Sequence, residues 1–313
     1  MSQPAVSVVI VTWNRKEEVL ESIRSVYDQA CADFEVIVVD NGSNDGTCAA
    51  VREAYPDVRL IELDRNLGPT GGRNAGFRVA HAEVVFCLDS DASLGRDTLA
   101  TVVRRFAQDP RLGVINSRIV NAYTGEPDPN AGWAYSEKQR AHSGEEFYTH
   151  NFSEAGCAIR RTVLEKVGPF WERLFFGGEG EELGIRVLDA GFRILYLPQS
   201  IIYHRAPSGK MRPDPSRRYY NLRNSLFIYL VHYPWWMLIW FVPLKIAACT
   251  IQGLRQGSAR WVLAALRDTA RELPALWKER RPIRNETARV YLHFQREHGA
   301  LSWSVTSWLA NKA

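Results

Sequence analysis

Two carboxylates separated by one residue, Asp89-Ser90-Asp91, follow the apolar run Val84–Leu88. Side chains at i and i+2 of an extended segment point the same way, so the pair can share a hard cation such as Mn²⁺ or Mg²⁺. The competing reading is a solvated turn in which Asp91 caps a helix near Leu99. Asp40 ends a second apolar run and opens the dense turn Asp40-Asn41-Gly42-Ser43-Asn44-Asp45-Gly46. An acidic residue at a strand end suits hydrogen bonding to a ribose or base. Closing the loop as an Asx turn is the alternative. Arg73-Asn74 follows Gly71-Gly72 at a helix start. A guanidinium and free backbone N–H groups there can meet a phosphate, although a surface arginine beside a flexible loop has the same pattern.

These residues need a scaffold that brings strand ends together, and the first hundred residues supply one. Val6–Val11, Phe34–Val39, Val58–Leu63 and Glu83–Leu88 read as strands. Helical patterns lie between them: one that Asn14 can cap, with Val19, Leu20, Ile23 and Val26 at helical spacing; one ending near Tyr55; and Asn74–Ala80 after a glycine-rich loop at Asn66–Gly72. Strands alternating with helices predict an α/β fold with a parallel sheet covered on both faces. Ligands of such sheets bind beyond the carboxyl ends of the strands, where Asp40 and Asp89 lie. From Gly113 to Phe152 the pattern weakens into loops rich in Pro and Gly. Beyond it, Thr162–Val167 and Glu179–Ala190 read as helices, Arg193–Leu197 as a strand closed by Pro198, and Ile201–His204 as a separate extended piece.

The first βα turn, Thr12-Trp13-Asn14-Arg15, contains no glycine, and no G-x-x-x-x-G-K-[ST] occurs. Both facts argue against a dinucleotide-dependent dehydrogenase and a P-loop enzyme. The five cysteines are widely spaced and form no C-x-x-C, which fits free thiols, Cys31 among them, in a reducing compartment. No basic segment followed by an apolar stretch opens the chain, so no secretory signal is expected.

Several segments together resemble family 2 glycosyltransferases. Val6–Arg15 resembles their opening strand, and Val39–Thr47 their nucleotide-binding turn. Asn66-Leu67-Gly68 through Gly72-Arg73-Asn74-Ala75-Gly76 resembles the next block, and Asp89-Ser90-Asp91 matches the D-x-D motif. Val167–Phe170, Phe175–Glu179, Glu182-Leu183, Arg186, Gly191, Pro198 and His204 fit the later part of the pattern. The resemblance covers about residues 5–210 and is nearest the bacterial rhamnosyltransferase-like branch. It implies a GT-A fold, a Rossmann-like, mostly parallel sheet flanked by helices, and sugar transfer from a nucleoside diphosphate. By carry-over, Thr12, Trp13, Asn14, Asp40 and Asn41 would hold base and ribose. Asn66, Gly72, Arg73, Asn74 and Ser90 would border the nucleotide sugar. Asp89 and Asp91 would engage Mn²⁺ or Mg²⁺, with His204 as third ligand; a strand-end histidine with a satisfied hydrogen bond is the bland alternative.

Transfer by a single inverting displacement needs a base for the acceptor hydroxyl. In the family this is usually the Asp of a Glu-Asp pair opening a helix. Here Glu179-Gly180-Glu181-Glu182 stands in that place, with Gly180 where the Asp is expected. Either Glu179 or Glu181 takes over, with Glu182 beside them, or catalysis is impaired and the chain binds nucleotide sugar without turning it over. Three glutamates at a helix start are also favourable dipole charges. A sugar nucleotidyltransferase is the rival enzyme, but it usually needs a glycine-rich basic loop near the N-terminus.

The charge is unevenly distributed. Residues 207–313 hold 17 Lys/Arg against 6 Asp/Glu, residues 1–206 hold 22 against 29, and seven of the ten tryptophans fall between Trp235 and Trp308. This divides the chain into a catalytic domain, 1–215, and a basic helical tail, 216–313. Asn224–Leu244 carries no formal charge but contains Pro234, Pro243 and mid-segment tryptophans. It and the amphipathic stretch Trp261–Trp277 suit an anionic membrane surface. Packing on the catalytic domain or on a twin subunit, as a homodimer, is the second reading and a transmembrane span the third. Nucleic acid is a poor candidate partner, given the acidic front. The expected activity is metal-dependent transfer from a UDP- or dTDP-sugar to a lipid-linked or cell-surface glycan, at the cytoplasmic face of a bacterial membrane.

Overall fold

The computed structural model describes residues 3–30, 33–128, 142–205 and 216–297. Cys31, Trp303, Trp308 and the middle of the Pro/Gly-rich region lie outside the described residues.

Four strands, β1 (Val6–Thr12), β2 (Phe34–Asp40), β3 (Arg59–Glu62) and β4 (Val84–Asp89), pair in parallel in the order β3-β2-β1-β4. Their β-branched side chains are buried on both faces in β1, β2 and β4, as parallel strands require. Helices α1 (Lys16–Tyr27), α2 (Thr47–Ala54) and α3 (Gly68–Phe77) are the crossovers. Beyond β4 the sheet turns mixed. β5 (Ala92–Leu94), α4 (Thr98–Gln108), β6 (Leu112–Asn121), β7 (Phe147–Thr149) and β8 (Gly156–Arg160) follow in the chain. After α5 (Arg161–Val167) and α6 (Glu179–Asp189) comes β9 (Arg193–His204). β8 runs antiparallel between β4 and β6, β9 lies parallel to β6, and β5 and β7 pair antiparallel with β9.

The predicted α/β sheet is therefore present, but several local expectations change. The glycine-rich stretch is helical: α3 begins at Gly68, with Pro69 in its first turn, and Gly72 lies inside it. Poor helix propensity is overridden by packing. A Cβ on Gly72 would meet Val11 Cγ1 at 2.6 Å, so only glycine lets α3 lie this close to β1. Asn14 does not cap α1, which is preceded by Arg15 without a side-chain cap. With φ of 52°, Asn14 instead donates its N–H to Ser43 Oγ (2.8 Å) and accepts from Asn44 N (2.9 Å), tying the first two strand-end turns together. Pro198 does not end its strand: β9 continues to His204, with a register shift opposite Ser117/Arg118. Asp91 caps no helix, since the chain runs on into β5 and α4 is preceded by Asp97.

The uncharged run 224–244 is two elements. α7 (Ser216–His232) ends before Pro234, and α8 (Trp235–Arg255) begins after it. Within α7, Phe227, Ile228 and Val231 share a buried cluster with Leu174 and with Ile185 of α6. α9 (Ala259–Glu279) and α10 (Asn285–Glu297) complete the described tail. The inner face of α9 is Val262, Ala265, Thr269 and Leu276, while Leu263 and Leu273 face outward. Among the described residues α8 alone is long and apolar enough to cross a membrane, and most of its apolar length is not buried. Trp235, Trp236, Ile239, Trp240, Leu244 and Leu254 stand exposed on it.

Candidate active site

β1 and β2 end in register, Thr12 opposite Asp40, and β4 ends beside them with Asp89 opposite Val11. Thr12 and Asp40 are each 1% exposed. Ser43 N–H donates to Asp40 Oδ2 (2.8 Å), yet among the described residues Thr12 Oγ1 and Asp40 Oδ1 have no hydrogen-bond partner. Orphaned buried oxygens are costly and mark a place where a ligand supplies the missing partner. Trp13, 52% exposed, stands next to them.

Other predicted residues hold the site together. Asn41 accepts from Leu67 N (2.9 Å) and donates to the Gly68 carbonyl (3.0 Å), fixing the turn into α3. Asn66 Oδ1 accepts from Gly68 N at 2.8 Å. Asn74 exchanges hydrogen bonds with the backbone of Phe170 and donates to Glu172 Oε1. Ser90 offers its carbonyl to Ser22 Oγ (2.6 Å). Arg205 donates to the same carbonyl through Nη2 (3.3 Å), and its N–H donates to the Asp91 carbonyl (2.9 Å). The D-x-D turn is thus pinned from beneath by two residues that no sequence pattern singled out.

A cleft of about 640 Å³ opens next to this turn, lined by Arg15, Arg73, Asp89, Asp91, His204, Glu154, Glu179 and Glu181 among others. Arg73 is buried and donates to Asp89 Oδ1 at 2.6 Å. Burial disfavours its charge, but Asp89, with Cys87, Glu154 and Glu179, outweighs that and raises its pKa. Asp91 pairs with Arg15 Nη1 and lies 3.5 Å from His204 Nε2. Burial works against its ionisation, yet the hydrogen bond to His204 and the Arg15 charge hold it well below the usual carboxylate range. His204 also bonds Asp128 Oδ2 at 2.6 Å. Against the effect of burial, the two aspartates push it up to about 9.

Among the described residues no three His, Cys, Asp or Glu side chains form a ready-made metal cage. The donors at this corner nonetheless fit Mn²⁺ or Mg²⁺. Asp91 and His204 are adjacent, Asp89 is two residues away, and such ions commonly take part of their shell from substrate phosphates. A cation would bring to Asp91 the positive charge that Arg15 and His204 bring to it here.

The α6 glutamates separate. Glu179 is 3% exposed and borders the cleft. Glu181 accepts a hydrogen bond from Tyr291 of α10 at 2.7 Å. Glu182 does not line the cleft: buried, it pairs with Arg186 (2.5 Å) and His232 (2.9 Å), joining α6 to α7. The expected place for a base, Gly180, cannot carry a side chain. A Cβ there would come closer than 3.0 Å to the Phe152 carbonyl oxygen and to Glu154 Oε1 (2.7 Å).

Sequence reasoning missed Glu154, and it missed the wall that α7 builds with Arg217, Tyr220, Asn221 and Asn224. Asn224 donates to the carbonyls of Leu174 (3.0 Å), Phe176 (3.0 Å) and Gly177 (2.6 Å), and so shapes the loop leading into α6. The signal that was available is a lone carboxylate, Glu154, directly before the small and apolar run Ala155–Ile159.

The sequence profile of "Glycosyl transferase family 2" matches residues 7–168, just over half of the chain. A succinoglycan biosynthesis protein, ExoO, of Rhizobium meliloti is 39% identical over 121 residues, 38% of this chain and 34% of its own length. The chain thus spans about a third of that relative. An N-acetylglucosaminyl-diphospho-decaprenol L-rhamnosyltransferase of Mycobacterium tuberculosis is 25% identical over 263 residues, 73% of this chain and 85% of its own length. Among solved structures, a Pyrobaculum calidifontis mannosyltransferase in complex with GDP-Man and Mn²⁺ superimposes with a TM-score of 0.56 at 22% identity. That match covers 98% of this chain and 83% of the other. At that identity the likeness speaks for the GT-A fold, while the profile match carries the family: the chain belongs to glycosyltransferase family 2.

Proposed function

We propose that the chain transfers a sugar, with inversion, from a nucleoside diphosphate sugar to a hydroxyl of a lipid-linked or cell-surface glycan. The observation that carries the donor half is the pair of orphaned buried oxygens, Thr12 Oγ1 and Asp40 Oδ1, at adjoining strand ends. A base N–H and a ribose hydroxyl supply the donors they lack; UDP- or dTDP-sugars are the favoured donors in this reading, and a guanosine nucleotide also meets the requirement. Relatives with donors and acceptors in their names, such as the mannosyltransferase with GDP-Man and the lipid-linked rhamnosyltransferase, make the class reasonable. Asp91, His204 and Asp89 would hold Mn²⁺ or Mg²⁺, which as a Lewis acid stabilises the diphosphate leaving group.

In the chemical step, the acceptor oxygen forms a bond to the anomeric carbon as the bond to the diphosphate breaks. The electron pair departs with the nucleoside diphosphate, and the hydroxyl proton passes to a carboxylate of the cleft. Arg73, charged and held against Asp89, faces the place where negative charge grows.

Residues 1–215 are the catalytic domain in this reading, and 216–313 place it at the inner face of a cell membrane. The exposed Trp235, Trp236 and Trp240, with Lys245, Arg255 and Arg260 nearby in the chain, suit an interfacial helix.

The test is a thermal-shift panel of nucleoside diphosphates with and without Mn²⁺, followed by an assay of nucleoside diphosphate release from the matching sugar donor. Stabilisation by UDP or dTDP that Thr12→Val and Asp40→Asn abolish is the expected result. Release that needs neither Mn²⁺ nor Asp91 would overturn the metal-assisted reading. Binding without release would favour a nucleotide-sugar-binding protein with lost catalysis. For the tail, flotation of the full chain on vesicles of anionic phospholipid should fall when Trp236 and Trp240 become serine, and unchanged flotation would remove α8 as the docking face.

A further inference from the structure

The missing side chain at position 180 leaves open which group receives the acceptor proton. We propose that Glu154 is that base, a catalytic carboxylate delivered from the segment before β8 rather than from α6. This inference rests on the transferase reading above.

Three observations meet at this residue. A Cβ on Gly180 would lie 2.7 Å from Glu154 Oε1, so the Glu154 carboxylate occupies the space into which a side chain from position 180 would project. It is held there by the Gly180 N–H, which donates to Oε1. That N–H is one of the unpaired donors at the start of a helix, so the carboxylate is oriented without help from α6 side chains. The backbone N–H of Glu154 itself also bonds this carboxylate, and Glu154 lines the cleft together with Asp89 and Glu179.

The sheet explains the placement. β8 is antiparallel to β4, with Gly156 opposite Leu88, and Asp89 N–H donates to the Ala155 carbonyl at 3.2 Å. The residue before Ala155 is therefore carried to the same sheet end as the D-x-D turn. Glu179 and Glu181 are less suited. Glu179 is 3% exposed, whereas Glu154 keeps partial exposure, and Glu181 is engaged by Tyr291.

The groups around Glu154 also set its basicity. Burial first, then the Glu179 charge, push it up to about 8, against the opposing charge of Arg73. The neighbouring Cys157 thiol, raised by burial, adds no charge near neutral pH. A base works best when its pKa lies near the working pH.

The experiment compares Glu154→Gln, Glu154→Asp and the wild-type full chain for nucleoside diphosphate release with acceptor present. Glu154→Gln keeps an oxygen for the Gly180 N–H and loses the proton acceptor. Its kcat should fall about 100- to 10 000-fold, with donor KM and the nucleoside diphosphate thermal shift within threefold of wild type. Glu154→Asp should retain part of the activity. Glu154→Gln turning over within threefold of wild type would overturn the assignment, and so would an equal loss of donor binding, which marks a structural role. If Glu154→Gln does not fold, Glu154→Ala with added formate decides: a rate rising with formate supports the base, and a flat rate refutes it. A wild-type chain that releases no nucleoside diphosphate from any donor would instead sink the transferase reading itself.

Discussion

Restoring the residue that the family usually carries at position 180 should damage this protein rather than improve it. The obstacle to Gly180→Asp is geometric. Its Cβ would approach the Phe152 carbonyl oxygen closer than any real Cβ does, and Glu154 Oε1 to 2.7 Å. One turn later Gly184 meets the same wall, with a Cβ 2.5 Å from the His150 carbonyl oxygen. The start of α6 thus lies flat on the backbone of residues 150–152, and backbone cannot swing aside as a flexible side chain can. Overpacking of this kind costs about 1–3 kcal/mol, and a backbone obstacle puts Gly180→Ala in the upper half, about 2–3 kcal/mol. For a chain of 313 residues, with an unfolding entropy of about 2.1 cal/mol/K per residue, that is a fall in Tm of about 3–5 °C. Gly180→Asp adds a carboxylate beside Glu154 and Glu179. Two like charges about 4 Å apart repel by about 4 kcal/mol at an effective dielectric of 20, partly relieved by protonation. Scanning calorimetry and nucleoside diphosphate release should show both variants less stable, with kcat for Gly180→Asp at least tenfold down. An aspartate variant with wild-type Tm and equal or higher kcat would refute the reasoning, because it would mean that the space beside Gly180 is free and Glu154 does not fill it.

Three further outcomes follow from the same geometry. The carboxylate form of Glu154 is the active one, so kcat should rise with pH towards about 8. Replacing Glu179 by glutamine, which removes the like charge, should move that limb to lower pH, and a pH–rate profile for each protein checks both. Glu182→Gln breaks a buried ion pair with Arg186, beside the hydrogen bond to His232, and should cost about 3 kcal/mol in denaturant unfolding at pH 7. Burial opposes the Glu182 charge, but Arg186 and His232 lower its pKa below 4.5. Its contribution is therefore fully present above about pH 4.5 and is lost as the pH falls further, so wild type and variant should converge in stability in acid. Asn224→Ala strips a donor from the carbonyls of Leu174, Phe176 and Gly177, and should cost about 1–3 kcal/mol. Acceptor KM should rise as well, since Phe176 and Gly177 of this loop line the cleft.

What the sequence could reveal was whatever is encoded by neighbours in the chain. Val6–Thr12, Phe34–Asp40 and Val84–Asp89 are apolar runs ending in polar turns, and period and punctuation suffice to read them as parallel strands with a ligand edge. Helix α3 was legible only in its second half, because three glycines and a proline obscure a helix whose reason for existing is close contact with Val9 and Val11. The antiparallel insertion of β8 between β4 and β6 was not legible, since nothing local distinguishes Gly156–Arg160 as the partner of Val84–Leu88. Glu154 was lost with it. A residue 63 positions from Asp91 in the chain reaches the same cleft only through that pairing. Likewise, Arg217, Tyr220 and Asn224 read as the start of a basic tail, whereas tertiary packing turns one face of α7 towards the cleft.

This last point changes how the tail relates to catalysis. α7 contributes cleft wall through Tyr220 and Asn224, and its far end packs into the cluster that holds Met237 and Leu238 of α8. From there α8 presents its exposed tryptophans outward, one helix turn from the Tyr233-Pro234 corner. His232, the last residue of α7, is bonded to Glu182, which lies in the same helix as Glu179 and Gly180. Among the described residues, the path from the outward apolar face to the glutamates of α6 therefore runs through packed and hydrogen-bonded contacts. A surface that docks on α8 would then fix the orientation of the cleft as well as its distance from an acceptor lying in that surface. A tail joined by a loose tether would raise only the local concentration of enzyme, and truncating it would change KM alone. The packed connection predicts that disrupting the α6–α7 contact, as in Glu182→Gln, lowers kcat with soluble acceptors too, where no membrane is present.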